Sequence, residues 1–139
     1  MDIEILRKTD EIIEEFYDRS KRMGAELAHL FKNKNQIKSL ENIICSTTRF
    51  TEAKNFVKNQ IGKSEKGKNW TKKVKNVVED KEDEIIGEQI LNELRHIERK
   101  AEEITETNLV YEVKMRLLRG WIKQVAAHYE YKLKLGEIE

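Results

Sequence analysis

Residues 86–104, "IGEQILNELRHIERKAEEI", place Ile86, Ile90, Leu94, Ile97, Ala101 and Ile104 at steps of three and four. That period puts all six on one stripe of an α-helix and leaves Glu, Arg and Lys on the opposite side. The spacing predicts a helix over 84–104, closed by "TETN" at 105–108. Nothing in the rest of the chain interrupts such helices, because its 139 residues include no proline. Aromatic residues are 7% of the chain and charged residues 38%, against roughly 25% charged in ordinary soluble domains. The fold class is therefore all-α.

Working outward, Leu6, Ile13, Phe16, Met23, Leu27 and Leu30 predict one long helix from Asp2 to Lys32. Thr9 and Ser20 interrupt its stripe, and Gly24 marks either a close approach or a weak point. After a loop at 32–35, Ile37, Leu40, Ile43 and Ile44 begin a second helix, which "CSTT" at 45–48 ends. Thr48 is the expected cap of a third, running through Phe50, Ala53, Phe56, Val57 and Ile61 to a stop at Gly62. A flexible basic loop, "KSEKGKN", precedes a helix expected to start at Asn69 and carry Trp70, Val74, Val77 and Val78. "EDKEDE", 79–84, is either an exposed turn or the acidic first turn of the next helix. The last helix, capped by Asn108, uses Val110, Val113, Leu117, Trp121, Val125 and Tyr129 and runs to Gly136. The chain has no repeat and no Gly/Ser linker, so 1–139 is expected to form a single bundle of five or six helices, with long N- and C-terminal members.

A lone cysteine, Cys45, permits no internal disulfide and is read as a small buried thiol, in keeping with a reducing compartment. No apolar run approaches the roughly 20 residues that span a bilayer, and the N-terminal segment lacks a signal-peptide apolar region. The expectation is a cytoplasmic protein without a membrane partner.

Charge is distributed in blocks. Residues 49–78 hold nine basic and two acidic side chains, residues 79–106 four and eleven, while the whole chain is only +1. The positive block comprises Arg49, Lys54, Lys58, Lys63, Lys66, Lys68, Lys72, Lys73 and Lys75. Lys54 with Lys58, and Lys68 with Lys72 and Lys75, follow helical steps, and a ridge of cations suits a phosphate backbone that releases counterions on binding. Arg116, Arg119 and Lys123 add a second basic strip. Two other uses of the block stay open: contact with the acidic block of a neighbouring copy, and simple solvation. Trp70 can stack on a base, although core packing is the favoured reading, as it is for Phe50 and Phe56.

Patterns for catalysis are sparse, and neither a catalytic residue nor a cofactor is assigned. Glu26 with His29, and Glu93 with His96, have the Glu-x-x-His spacing of di-iron bundles, yet each lies one residue off its core stripe and is expected on a solvated flank. Arg22 and His29 satisfy the loose Arg-x(4–6)-His pattern of helical HEPN ribonucleases, on the first helix rather than a late one. Arg119 and His128 are too far apart for it.

The final helix, "YEVKMRLLRGWIKQVAAHYEYKL", with Tyr111, Arg116, Leu117-Leu118, Trp121-Ile122-Lys123 and Ala126-Ala127, resembles the closing helix of the small subunits of type III CRISPR effector complexes. The Cmr type is the nearer likeness and the Csm type the second. Phe56-Val57-Lys58, the basic loop and Trp70 are similar to the middle of the same family. The resemblance implies an all-helical, non-catalytic subunit that contacts guide or target RNA without reading sequence. It also implies other effector subunits as partners, and self-association along a filament. A protein–protein adaptor without RNA is the alternative, with a HEPN-like ribonuclease or a di-iron bundle behind it.

Overall fold

The computed structural model describes residues 2–77, 82–106 and 108–138. Among these, six α-helices carry the fold: α1 (Ile3–Glu15), α2 (Tyr17–Leu30), α3 (Asn35–Ser46), α4 (Phe50–Lys63), α5 (Ile86–Ile104) and α6 (Val110–Ile138). A 3-10 turn (Asn69–Thr71) and a two-stranded antiparallel ladder, β1 (Lys73–Val74) with β2 (Glu84–Ile85), fill the connection between α4 and α5. The all-α bundle expected from the periodicity is observed. With 29 residues, α6 is about 43 Å long, and it packs against every other α-helix, most extensively α2.

The N-terminal helix is not continuous. It breaks at Phe16, where neither proline nor glycine is present. The cause is an inserted side chain: Gln124 Nε2 donates to the Ile13 carbonyl at 2.9 Å, taking the acceptor that Tyr17 N–H would use in an unbroken helix. Ser20 Oγ in turn donates to Gln124 Oε1 at 2.9 Å. Thr9 and Ser20, the two polar interruptions of the stripe, are both fully buried, and Thr9 Oγ1 donates back to the Ile5 carbonyl, a contact that helps bend helices.

Gly24 is a close approach rather than a weak point. A Cβ there would lie 2.7 Å from the Val125 carbonyl oxygen and 2.9 Å from Tyr129 N. Gly87 plays a similar part at the start of α5, where a Cβ would meet Ile61 and the Trp70 carbonyl. The core runs through Met23, Leu27, Leu40, Ile44, Val57, Ile90, Leu94, Ile97, Leu117, Trp121 and Val125. Tyr129 joins it, its hydroxyl donating to the Phe31 carbonyl.

Three local expectations need correction. No helix runs from Asn69 through Val77: the chain makes the 3-10 turn and then pairs with β2, while Val78 lies outside the described residues. Thr48 does not cap α4; Arg49 occupies that position, and the Thr47 hydroxyl accepts from Arg49 N–H at 3.1 Å. Cys45 is exposed rather than buried, because α3 turns Ile37, Leu40 and Ile44 inward and the next residue falls outside that stripe. Of "EDKEDE", residues 79–81 lie outside the described residues and Glu84 opens β2.

Candidate functional site

The basic block divides by its partners. Arg49 pairs with Glu52, Lys68 with Glu65, and Lys54 with Glu98. Lys54 is structural: Glu98 also takes Lys114 at 3.5 Å, and both lysines lie against the Phe50 ring. The other six, Lys58, Lys63, Lys66, Lys72, Lys73 and Lys75, are exposed, and none makes an ion pair among the described residues. Like charges this close in sequence repel, and the carboxylates nearest them across the β1–β2 ladder are Glu84, opposite Val74, and the exposed Glu82 and Asp83 just before it.

The acidic block divides too: Glu82, Asp83, Glu84, Glu102 and Glu106 make no ion pair among the described residues, while the other carboxylates of α5 do. Glu88 pairs with Arg95, Glu93 with Arg19, Glu98 with two lysines and Glu103 with Lys100. Glu84 accepts hydrogen bonds from Asn76 and Asn92. Much of the negative charge of α5 is thus neutralised inside the molecule, which leaves less of it to receive the lysines of a neighbouring copy.

The lysines do not form one helical ridge. On α4, Lys63 lies about 140° round the axis from Lys58, so the two project from opposite flanks. Lys63 and Lys68 meet instead at a polar cleft of about 440 Å3, lined also by Glu65, the partner of Lys68, and by Gln36, Gln60 and Asn69. Asn69 holds a positive φ of 50° and Gly67 one of 78°, which lets the loop fold back there.

Lys72 to Lys75 are fixed by a residue the sequence did not single out. Gln89, 4% exposed, accepts from Val77 N–H at 2.9 Å and donates to the carbonyls of Val74 and Glu84, both at 3.1 Å. Ile86 N–H adds a bond to the Lys72 carbonyl at 2.9 Å. One buried amide therefore seats the backbone of the basic segment on the start of α5, with its lysines outward.

The second strip lies apart from this segment. Arg116, Arg119 and Lys123 share one side of α6 and line a cleft of about 440 Å3 against α1, but Asp10 and Glu112 line it too. Arg116 pairs with Asp10 at 3.2 Å. Arg119, half-buried, donates to the Thr47 carbonyl at 3.0 Å, close in sequence to Arg49. Internal partners make this strip a weaker attractor than the lysine segment.

Trp70 is 1% exposed, packed against Phe31 and Phe56, and its Nε1 donates to Gln36 Oε1 at 2.9 Å. It cannot offer a face to a base. Phe50 is core as expected.

Glu93 is not on a solvated flank. It is 4% exposed and binds Arg19 through both carboxylate oxygens, at 2.6 and 3.3 Å. His96 is half-buried beside Phe16, and its pKa is pushed down to about 4, first by burial and then by Arg19, Lys100 and Arg99, with Glu103 opposing. The unfolded chain takes up this proton near 6.5 and the folded one only near 4, so stability is expected to fall as pH drops through that window. His96→Gln should shrink the loss in thermal midpoint between about pH 7 and about pH 5. Equal losses in both proteins would refute the assignment.

Among the described residues no group of three or more His, Cys, Asp or Glu side chains is placed to hold a metal ion. Arg22 and His29 are both exposed on α2, while Arg119 and His128 point to opposite sides of α6. No described helix is long and apolar enough to cross a membrane. No protein-family model matches the chain, and searches of curated proteins and of solved structures find no match either. What fold and site define together is an all-helical bundle with a run of exposed lysines from the end of α4 through β1.

Proposed function

We propose that this chain is a non-catalytic RNA-binding subunit that holds single-stranded RNA by its phosphates, in the manner of the small subunits of type III CRISPR effector complexes. The observation that carries the reading is the run of exposed lysines without ion pairs. Six exposed lysines between Lys58 and Lys75 lack carboxylate partners among the described residues, while much of the acidic helix is consumed by internal pairs. A polyanion satisfies that surplus better than the partly neutralised α5 of a second copy does. The backbone seat at Gln89 suits the task, because lysines held outward on an anchored segment lose less freedom on binding. The resemblance of the last helix and of the middle of the chain supplies the choice of ribonucleoprotein, and the all-helical plan agrees with it.

The test is binding of labelled single-stranded RNA, followed by fluorescence anisotropy. If about six phosphates are neutralised, affinity should fall roughly 300-fold between about 50 and about 200 mM salt, a logarithmic slope near −4. Reversing Lys58, Lys63, Lys72 and Lys75 to Glu should cut affinity by about 100-fold or more and flatten the slope. Lys54 is left alone because a carboxylate there would face Glu98. Unchanged affinity in this variant, with its thermal midpoint retained, overturns the reading.

A further inference from the structure

A groove between α2 and α6 has a chemistry unlike that of the two basic regions. Its volume is about 430 Å3, within the range of roughly 300–1,000 Å3 typical of small-ligand pockets. Ala25, Ala127, Tyr17 and Tyr131 line it together with Lys21 and Lys132, and no carboxylate is among the lining residues. Both tyrosines are unusually open for their size, Tyr17 at 47% and Tyr131 at 64% exposure. The Tyr17 ring is held edge-on against His128, centroids 5.0 Å apart at 78°. Next to Ala25, Gly24 lets α2 approach α6 closely, and the small side chains of Ala25 and Ala127 are among those lining the groove.

We infer that this groove is a base-stacking subsite, taking an unpaired nucleobase of single-stranded RNA against Tyr131 and Tyr17 while Lys21 and Lys132 hold the flanking phosphates. Charge and ring chemistry choose the occupant. Aromatic rings between cations suit a strand that carries a π-face and an anion in every unit, and base stacking on aromatics tolerates any sequence. An apolar protein segment would gain nothing from two lysines at the walls. The inference rests on the RNA-binding reading but on different residues, so the two can fail separately.

The experiment compares Tyr131→Ala, Tyr131→Phe and the four-lysine reversal variant. Each is titrated with a labelled single-stranded RNA and with an abasic ribose-phosphate oligomer of equal length. Removing the Tyr131 ring should weaken RNA binding about tenfold, leave the salt slope unchanged and leave the abasic oligomer unaffected. Tyr131→Phe keeps the ring and should bind as the unaltered protein does. Because Tyr131 is largely exposed, the fold should survive, checked by thermal midpoint. Full RNA affinity in Tyr131→Ala, or equal binding of RNA and abasic oligomer by the unaltered protein, overturns the inference and leaves the lysine reading standing. Loss of binding in the lysine variant alone therefore tests the other claim. Light scattering that shows self-association abolished by Tyr131→Ala would assign the groove to a second copy and overturn the stacking role.

Discussion

Gly24→Val is expected to destabilise the protein by about 3 kcal/mol, seen as a fall of roughly 10 °C in thermal midpoint. The new Cβ would sit 2.7 Å from the Val125 carbonyl oxygen, 2.8 Å from the His128 Cβ and 2.9 Å from Tyr129 N. Two of these neighbours are backbone atoms of α6 and cannot rotate aside, so the helices must separate. That movement would loosen the largest helix–helix contact in the fold, including the seat of Met23 and Leu27, both fully buried. Gly136→Ala is the control. It lies in the last turn of α6 with nothing near its Cβ position, and alanine there should be neutral or stabilise by up to about 0.5 kcal/mol. A Gly24→Val protein that melts with the unaltered one would mean that α2 and α6 do not approach as described.

The helices that could be read from the sequence are those whose apolar period decides the matter locally. α5 keeps its six-residue stripe, and α6 buries Leu117, Trp121 and Val125 as the spacing requires. What escaped depends on residues far away in the chain. The break at Phe16 needs Gln124, more than 100 residues on, to reach the Ile13 carbonyl. The segment after Trp70 has valines at helical spacing, yet pairing with Glu84 and Ile85 and the reach of Gln89 from α5 decide its form. Glu93 was legible as a member of a motif but not as a buried charge, because α5 buries a face broad enough to include it and its partner Arg19 comes from α2. The charge blocks were legible as composition. Which lysines are spent on internal pairs was not, since Lys54 is claimed by Glu98 of the next helix, α5, 44 residues on. Tyr17 and Tyr131 stand at opposite ends of the sequence, and only the packing of α2 on α6 brings them to one groove.

The Arg19–Glu93 pair carries the second large effect. Arg19→Ala should cost about 3–5 kcal/mol, because it leaves a carboxylate with 5% of its surface exposed and no cation beside it. Glu93→Gln should cost less, since a neutral amide is cheaper to bury unpaired than a charge. Replacing both, as Arg19→Met with Glu93→Leu, should recover much of the loss, because apolar side chains of similar bulk satisfy the site without desolvating ions. Urea unfolding of the four proteins measures the pattern, and it separates this pair from an ordinary surface contact, whose removal costs about 0–1 kcal/mol. Arg19 is also the second cause of the depressed His96 pKa, so Arg19→Ala should raise that value from about 4, visible in the imidazole resonances as pH is varied. A cost below about 1 kcal/mol, with His96 titrating unchanged, would place Glu93 in water after all and return it to the solvated flank that its sequence position suggested.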